Sequence, residues 1–249
     1  MSEPVHMTTP PLSSADLALL RQYDTPTICN VIELFNVRPR TYGYMDRRIR
    51  ACFPEMQPVV GYASTATIRT AIPWAEGSSY KSLTEQVLAF AVLPGPPIVV
   101  FQDLDDPPAA ATFGEIMCAT YQAFGAVALI TSGAARDLDQ VRRLGFPVFS
   151  NGAMCSHGYS RTLAIHESIH VGGLGVNAGD LLHADANGVT NIPREIASEV
   201  ASVAAEYVAA EAVILDYVKA GAPDPERFSQ VRHEFMRRIA ELGKRVALP

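Results

Sequence analysis

Short apolar runs separated by segments of helical spacing constrain the fold of this chain more than any other feature. The runs lie at residues 98–101, 127–131 and 148–150. The first run is short and entirely apolar, which is typical of a strand buried on both faces, and the other two are also predicted to be strands. Helical spacing of apolar residues follows the first run, at Ile116, Ala119, Ala123 and Phe124. A second helix is predicted over residues 136–144, and strands alternating with helices through short loops predict βαβ units and a parallel sheet.

The segments on either side add helices at both ends and further strands between them. Helices are predicted from Ser13 or Ser14 to about Tyr23, and from Thr25-Pro26 onward. Further strands are predicted at residues 59–72, 162–171, 181–185 and 189–192. After Pro193, two long helices run to about Gly221 and over residues 224–243. Because no repeat or linker divides the chain, we expect an α/β fold with one domain at residues 13–249 and a C-terminal helical extension, preceded by a flexible arm at residues 1–12.

Composition excludes several classes of protein. The 249 residues include 20 Lys+Arg and 26 Asp+Glu, a formal charge of −6, and no dense basic run that would bind a phosphate backbone. No apolar run approaches the roughly 20 residues of a membrane helix, and the first residues lack a signal-peptide pattern. We therefore expect a cytoplasmic protein that binds neither nucleic acid nor membrane. Its cysteines form no CxxC pair, so they are expected to be reduced and mostly buried: Cys29, Cys52, Cys118 and Cys155.

The sequence HESIH at residues 166–170 matches the zinc-protease pattern H-E-x-x-H. That pattern binds zinc only on a helix, where both histidines share one face. The flanking residues are β-branched and end at Gly172-Gly173, which favours a strand over residues 162–171. On a strand Glu167 would point away from both histidines, so a zinc peptidase is not expected.

Two other motifs are also weak. Gly173-x-Gly175-x-x-Ala178 resembles a dinucleotide fingerprint, but a strand follows it where the fingerprint requires a helix. The neighbours Cys155-Ser156-His157 combine nucleophile types with an imidazole. Residues adjacent in sequence rarely form a catalytic dyad, and no G-x-S-x-G elbow surrounds them.

A more informative pair of segments stands at the starts of the two central helices. Glu115 begins one helix after Gly114, and Arg136-Asp137 begin the next, each after a predicted strand. The carboxyl ends of parallel strands form the usual ligand crevice of α/β folds. There Arg136 could bind a carboxylate, Asp137 could bind a metal ion, and the free amides of residues 115–117 could stabilise an oxyanion. The alternative is that these are ordinary first-turn carboxylates and a surface ion pair.

The same residues carry a resemblance to a known family. Phe113-Gly114-Glu115, a gap of twenty residues, Arg136-Asp137, and the segments at residues 145–149 and 179–185 resemble the RraA-like family. That family contains class II pyruvate aldolases, which cleave 4-hydroxy-4-methyl-2-oxoglutarate and 4-carboxy-4-hydroxy-2-oxoadipate. It also contains non-catalytic relatives that regulate a ribonuclease. The resemblance covers roughly residues 20–245.

The resemblance implies a fold, a cofactor and roles for individual residues. The fold would be a layered β/β/α, swivelling-domain-like domain assembled as a homotrimer or homohexamer. Asp137 would bind Mg²⁺ or Mn²⁺, Arg136 would hold the pyruvyl carboxylate and Glu115 would support metal-bound water. The pyruvate pocket would be lined by the amides of Gly114, Glu115, Ile116 and Met117. An acid from the neighbouring subunit's C-terminal helix maps to Glu211, or less readily to Glu206.

Some positions depart from the family pattern. Glu115 stands where Asp is common, Ser132 replaces an acidic residue, Asn177-Ala178 replace Pro-Gly, and Asn30 replaces Asp. None of these changes removes a proposed metal or substrate contact. The sequence thus predicts a metal-dependent carbon–carbon lyase that cleaves a small 2-oxo acid to pyruvate and also decarboxylates oxaloacetate. The alternative is a non-catalytic regulator of the same fold.

Overall fold

A computed structural model describes residues 11–73 and 79–247 of the chain. The helices are α1 (Ser14–Leu20), α2 (Thr25–Leu34), α3 (Ser79–Ala89), α4 (Glu115–Ala123), α5 (Leu138–Leu144), α6 (Ala197–Lys219) and α7 (Pro225–Val246). The strands are β1 (Arg50–Ala51), β2 (Val59–Arg69), β3 (Pro97–Asp103), β4 (Ala111–Phe113), β5 (Ala128–Thr131), β6 (Ala134–Ala135), β7 (Val148–Ser150), β8 (Arg161–Ile165), β9 (Ile169–Val171), β10 (Leu174–Val176), β11 (Leu181–Asp185) and β12 (Gly188–Ile192).

The central sheet has the strand order β1-β7-β5-β3-β2-β11-β12, with β8 also paired to β2. Strands β2, β3, β5 and β7 are parallel neighbours. The other strands of this sheet pair antiparallel. Helices and short strands connect the parallel members, so the predicted βαβ units and the mixed α/β fold are confirmed. The swivelling-domain layering stays a prediction.

Strand β3 is buried on both faces, as its apolar sequence predicts. Ile98 and Val100 join one hydrophobic cluster, which includes the β9–β10 hairpin. Val99 and Phe101 join a second cluster, formed with residues of α3, α4 and α5. Successive side chains of a strand point to opposite faces, so each cluster lies on one face of β3. The sheet is therefore covered by helices on one face and by the hairpin on the other.

Helices α1 and α2 begin where the capping residues predict. Ser13 and Asp16 form a capping box at α1, and Asp24 accepts the Thr27 N–H at the start of α2. Residues 1–10 of the predicted arm lie outside the described residues. Leu12, also assigned to that arm, is held: its N–H donates to the Tyr62 hydroxyl at 3.1 Å, and its side chain packs on the cluster of α1, α2 and α6. Leu12 is thus held against the domain, and the flexible arm stays a prediction.

The buried face of α4 also differs from the prediction. Cys118 and Tyr121 are the buried residues of this helix, whereas Ile116 is 60% and Phe124 is 61% exposed. The pairs Ile116/Phe124 and Cys118/Tyr121 lie on different sides of the helix. The apolar spacing thus identified the helix correctly and its buried face wrongly.

The two candidate segments follow a small separate sheet. Strands β4 and β6 pair in parallel, with Ala111 opposite Ala134 and Phe113 opposite Ala135. Gly114 and Arg136 come directly after these strands rather than after the central ones. Helix α5 begins at Leu138, so the prediction of a helix from Arg136 was wrong by two residues. The small sheet brings the two segments side by side.

The HESIH segment is neither a helix nor a continuous strand. Strand β8 ends at Ile165, His166 has a positive φ of 60°, and β9 begins at Ile169. The His166 backbone N–H donates to Thr65 O at 2.8 Å, and its ring Nε2 lies 3.0 Å from the Ser64 hydroxyl. The predicted unbroken strand was therefore wrong, while the absence of a helix removes the zinc-peptidase geometry. Gly172 and Gly173 form the turn between β9 and β10. A strand therefore follows these glycines, where a dinucleotide fingerprint would require a helix.

The C-terminal helices α6 and α7 pack against one another. The first half of α6 is buried against α1 and α2 through Val200, Ala201 and Ala204. Arg245 of α7 binds Glu206 of α6 with two contacts, at 2.5 and 3.0 Å. In residues 11–73 and 79–247, no helix is both long enough and apolar enough to cross a membrane.

The cysteines are free but less buried than expected. Cys118 alone of the four is buried, Cys29 and Cys52 are partly buried, and Cys155 is exposed. The prediction of reduced cysteines agrees with this arrangement. The prediction that most of them are buried was wrong, because Cys29 and Cys52 are only partly covered and Cys155 lies on a surface loop.

Candidate functional site

A cleft of about 180 Å³ lies beside the small sheet, at the start of α4. Its lining residues come from α3, β4, the start of α4, the segment after β6 and the loop before β8. They are Leu83, Ala111, Thr112, Phe113, Gly114, Ile116, Met117, Arg136, His157 and Ser160. The cleft therefore brings together Gly114, Ile116, Met117 and Arg136, four of the residues predicted from sequence.

Asp137 faces a shallower depression that adjoins the cleft. Arg136 lines both, and the depression is otherwise formed by α5 residues and by the segment from Ala153 to Cys155. Glu115 lines neither space, but its backbone N–H donates to the Asp137 carboxylate. The predicted residues are thus adjacent, with Arg136 at the junction between the cleft and the depression.

The Asp137 carboxylate connects the two helix starts. Asp137 has a left-handed backbone conformation, with φ 56°, and its side chain does not cap its own helix α5. Its Oδ2 atom accepts the Glu115 N–H of α4 at 3.0 Å and lies 3.8 Å from Arg136 Nε. A left-handed conformation is uncommon outside glycine, though Asp tolerates it. It directs the carboxylate toward the neighbouring helix start.

Gly114 makes this approach possible. A Cβ atom added at Gly114 would lie 2.5 Å from Asp137 Oδ2 and 3.0 Å from Arg136 Nε. Gly114 has an extended backbone, with φ −153°, which any residue can adopt. The glycine is therefore required by the contact with Asp137 and Arg136 and not by its backbone conformation.

The amides at the start of α4 are only partly available. The Glu115 N–H is bound to Asp137, so its prediction as a free oxyanion donor was wrong. Ile116 and Met117 are the next two residues of the first turn, whose N–H groups have no carbonyl four residues earlier in the helix. These two amides remain as donors for a bound anion.

Arg136 has the freedom to bind a ligand. Its side chain is 33% exposed, and its backbone N–H donates to Phe113 O at 3.3 Å, which fixes the start of the side chain. Among the described residues, its guanidinium makes no hydrogen bond, and the nearest carboxylate is Asp137. A planar guanidinium free at a cleft suits a carboxylate ligand.

Buried polar groups hold the turn that precedes Arg136. The Thr131 hydroxyl accepts the Gly133 N–H at 2.9 Å and lies 3.0 Å from the Thr112 hydroxyl. A Cβ at Gly133 would lie 2.7 Å from Oδ2 of Asp103, an oxygen that has no partner in the described chain. Burial raises the pKa of the Asp103 carboxyl to about 6. Ser132, at one of the positions that departs from the family pattern, accepts the Asp103 N–H at 2.9 Å.

Sequence reasoning missed Asp103, His157 and Ser160 as residues near the site. Asp103 ends β3, so its place at the carboxyl end of a parallel strand was an available signal. His157 and Ser160 lie in a loop whose position depends on contacts distant in sequence. The CSH motif drew attention to His157 for a dyad, and the structure places it in the cleft instead.

The two candidate acids of α6 lie elsewhere in the chain. Glu206 is bound to Arg245, which lowers the pKa of its carboxyl. Burial and the nearby Asp24 raise the pKa of the Glu211 carboxyl. Neither is among the residues lining the cleft or the depression. Of the two, Glu211 is the one whose carboxylate is not bound to an arginine.

The chain provides a limited set of metal ligands. Within the described part, no three His, Cys, Asp or Glu side chains come together to hold a metal ion. Asp137 Oδ1 accepts no hydrogen bond from the described residues, and the side chain is 33% exposed. One free carboxylate oxygen fits Mg²⁺ or Mn²⁺, which commonly keep waters and bind one or two protein carboxylates. It does not fit a structural zinc site with four protein ligands.

Comparisons with known proteins identify the family of this chain. The RraA-like family, described as Aldolase/RraA, matches residues 25–190. The chain belongs to the RraA-like family.

Solved structures share the fold of this chain. The solved structures that resemble the chain include an uncharacterized protein from Pseudomonas syringae pv. tomato, with TM-score 0.71 and 21% identity over 93% of this chain and 99% of that one. Streptomyces coelicolor RraAS2, described as an unusual member of the RNase ES inhibitor RraA protein family, has TM-score 0.61 and 20% identity over 79% and 93% of the two chains. At these identities the likeness concerns the fold.

Curated relatives match over shorter stretches. A Halalkalibacterium halodurans protein named "Putative 4-hydroxy-4-methyl-2-oxoglutarate aldolase" is 29% identical over 141 residues, 56% of this chain and 62% of that protein. Legionella pneumophila protein DlpA is 30% identical over 90 residues, 35% of this chain and 15% of DlpA. The matched segment thus spans less than two thirds of either relative.

Proposed function

We propose that this protein is a Mg²⁺- or Mn²⁺-dependent carbon–carbon lyase that releases pyruvate from a small 2-oxo acid and also decarboxylates oxaloacetate. The supporting observation is the junction at Arg136, where a free guanidinium, the α4 amides and the Asp137 carboxylate lie side by side. A 2-oxo acid presents a carboxylate and an adjacent ketone oxygen, which match these groups. The aldolase name of the Halalkalibacterium relative supports the same class of reaction.

Each residue has a distinct role in this proposal. Arg136 binds the substrate carboxylate, and the amides of Ile116 and Met117 donate to the oxygen that gains charge when the bond beta to the ketone breaks. Asp137 holds the cation, and the exposed Glu115 carboxylate orients water beside it. When bound, the divalent ion supplies Lewis-acid stabilisation of the pyruvate enolate. Gly114 keeps the Asp137 and Arg136 side chains close to α4.

The proposal includes a homotrimeric or homohexameric assembly. In the described part of the chain, Glu211 pairs with no arginine and lies outside the cleft. Both observations support its assignment as an acid that acts in a neighbouring subunit. We further propose a cytoplasmic protein that acts on a free small molecule, with neither nucleic acid nor membrane as partner. The swivelling-domain layering of the fold and its extent as one domain over residues 13–249 belong to the same proposal.

A non-catalytic regulator is the alternative function. The family includes proteins described as ribonuclease inhibitors, and such a role would need neither a free guanidinium nor a cation ligand at a cleft. The arrangement of Arg136, Asp137 and Gly114 therefore favours the lyase.

A substrate panel tests the proposed function. The purified protein is incubated with oxaloacetate and with 4-hydroxy-2-oxo acids that differ in their distal substituents, and pyruvate release is measured with and without Mg²⁺. We expect metal-dependent release from oxaloacetate and from at least one hydroxy acid. Absence of pyruvate release from every compound, in the presence of Mg²⁺ and of Mn²⁺, would instead favour the regulator.

A further inference from the structure

The loop at residues 156–160 is held firmly against the small sheet. Ala111 N–H donates to Ser156 O at 2.8 Å, and Tyr159 N–H donates to Thr70 O at 2.9 Å. The first contact ties the loop to β4, and the second ties it to the segment after β2. The loop therefore has a defined position although it contains no helix or strand.

A glycine within this loop fixes its path. Gly158 has φ +51°, and a Cβ added there would lie 2.6 Å from Thr70 O and 2.9 Å from Ala110 Cβ. Ser156 Oγ also accepts the Gly158 N–H at 3.2 Å. A close approach and a positive φ both require glycine here. The side chain of the preceding residue, His157, is thereby directed along the cleft that Arg136 lines.

The hydrogen bond of His157 determines which ring nitrogen carries its proton. Nδ1 lies 2.8 Å from the Gly158 carbonyl oxygen. Because a carbonyl only accepts, Nδ1 must donate, and in the neutral ring the lone pair then belongs to Nε2. Nε2 makes no hydrogen bond with the described residues. The loop thus presents an unprotonated imidazole nitrogen.

His157 differs from every other residue that lines the cleft. The lining contains one further ionisable side chain, Arg136, whose guanidinium only donates hydrogen bonds. The remaining members are apolar, glycine or hydroxyl residues. Among the described residues that line the cleft, His157 is therefore the one whose side chain carries a nitrogen lone pair.

We propose that His157 is the general base of aldol cleavage, acting on the C4 hydroxyl of a 4-hydroxy-2-oxo acid. This inference rests on the proposed function and supplies a base that the metal-binding residues do not provide. With the substrate carboxylate on Arg136, the carbons beyond the ketone extend into the cleft toward His157 and Ser160.

The proton and electron balance of the step is complete. Nε2 removes the C4 hydroxyl proton, C4 becomes a carbonyl, and the C3–C4 bond breaks. The electron pair of that bond forms the enolate of pyruvate, and the imidazolium returns the proton to C3. One 4-hydroxy-2-oxo acid thus gives pyruvate and one carbonyl product, without an oxidant or reductant.

Oxaloacetate decarboxylation distinguishes the role of His157 from the roles of the other residues of the site. Oxaloacetate has no C4 hydroxyl, and loss of its C4 carboxylate as CO₂ gives the same enolate without removing a proton. Arg136, Asp137 and the α4 amides serve both reactions, whereas a base at His157 serves the formation of the new carbonyl only in aldol cleavage. A defect in His157 should therefore affect the two reactions unequally.

The test compares both activities in the same variant. His157→Asn keeps an N–H group that can donate to Gly158 O and removes the Nε2 lone pair. A positioned base typically contributes about 10²- to 10⁴-fold. We expect kcat for aldol cleavage to fall at least about a hundredfold and decarboxylation to fall less than about tenfold. The matched control, His170→Asn, changes an exposed histidine outside the cleft and should preserve the ratio of the two rates.

A second variant guards against a local structural effect. In His157→Ala, added imidazole should restore part of the aldol rate in a saturable manner, because free imidazole can supply the missing base. Thermal unfolding of each variant checks that the fold is intact.

Other results would overturn the inference. These are equal losses in both reactions, no loss in either, or a raised KM with an unchanged kcat, which would indicate substrate binding alone. In each of these cases the metal-dependent lyase would still stand. A wild-type protein that releases no pyruvate from any 2-oxo acid would overturn the proposed function and this inference with it.

Discussion

Replacement of Gly114 by alanine should disable the site through one contact. The added Cβ would lie 2.5 Å from Asp137 Oδ2, whereas ordinary van der Waals contact begins near 3.4 Å. The carboxylate oxygen must therefore retreat by the difference, about 0.9 Å. That movement also stretches its 3.0 Å hydrogen bond with the Glu115 N–H and displaces Arg136, whose Nε lies 3.0 Å from the same Cβ position.

The size of this displacement determines the expected loss of kcat/KM. A misplacement of about 1 Å in a reacting group can reduce the rate by about a hundredfold, so kcat/KM should fall by about that factor, equivalent to about 3 kcal/mol. Overpacking commonly destabilises by about 1–3 kcal/mol. The variant should therefore remain folded, with a lowered Tm.

The assay is Mg²⁺-dependent pyruvate release, with Tm measured in parallel. Gly175→Ala provides a matched control, because its nearest described neighbours are His170 ring atoms at 3.6 and 3.7 Å. The control should retain both activity and stability. A Gly114→Ala protein with wild-type kcat/KM would refute the claim that the Asp137 position is critical.

Further predictions concern binding, stability and assembly. Arg136→Ala should lower kcat/KM at least about a hundredfold in the pyruvate assay, while Arg143→Ala on the exposed side of α5 should not. Burial raises the pKa of Asp103 from 3.8 to about 6, so the folded protein holds this proton more tightly than the unfolded chain does. The free energy of unfolding therefore falls by about 3 kcal/mol as the pH rises from about 4 through 6. Asp103→Asn should thus raise Tm at pH 8 but not at pH 4, and an equal Tm shift at both pH values would contradict this. Inactive Glu211→Gln and Asp137→Ala subunits should regain some activity in mixed oligomers, and verified mixed oligomers without recovery would exclude a shared site.

The central elements of the fold could be predicted because the local pattern of apolar residues indicates their burial. The β3 residues are apolar without alternation, which reflects burial on both faces. In α4, by contrast, Cys118 and Tyr121 form the buried face while Ile116 is exposed. Hydropathy alone ranks these residues the other way, since the buried side is set by contacts with distant parts of the chain.

The sequence indicated that the candidate residues follow predicted strands, but it did not indicate the contacts that they make. Arg136 and Asp137 follow a predicted strand, but the left-handed conformation of Asp137 and its bond to the Glu115 N–H depend on the pairing of β4 with β6. His157 enters the cleft because its loop is anchored to Thr70 and Ala111, which lie far away in sequence. The spacing of residues along the chain does not predict such contacts.

Whether Asp137 holds a cation beside an anion on Arg136 can be measured directly with Mn²⁺ and oxalate, a planar dianion that resembles the pyruvate enolate. Calorimetric titration gives the affinity for each in the absence and presence of the other, for the wild type and for Asp137→Ala. A cation at Asp137 and an anion on Arg136 should each tighten the binding of the other by the same factor, since coupling between ligands is reciprocal. We expect this mutual effect in the wild type and its loss in Asp137→Ala. Oxalate binding that is equally tight without Mn²⁺, and unchanged in Asp137→Ala, would contradict it.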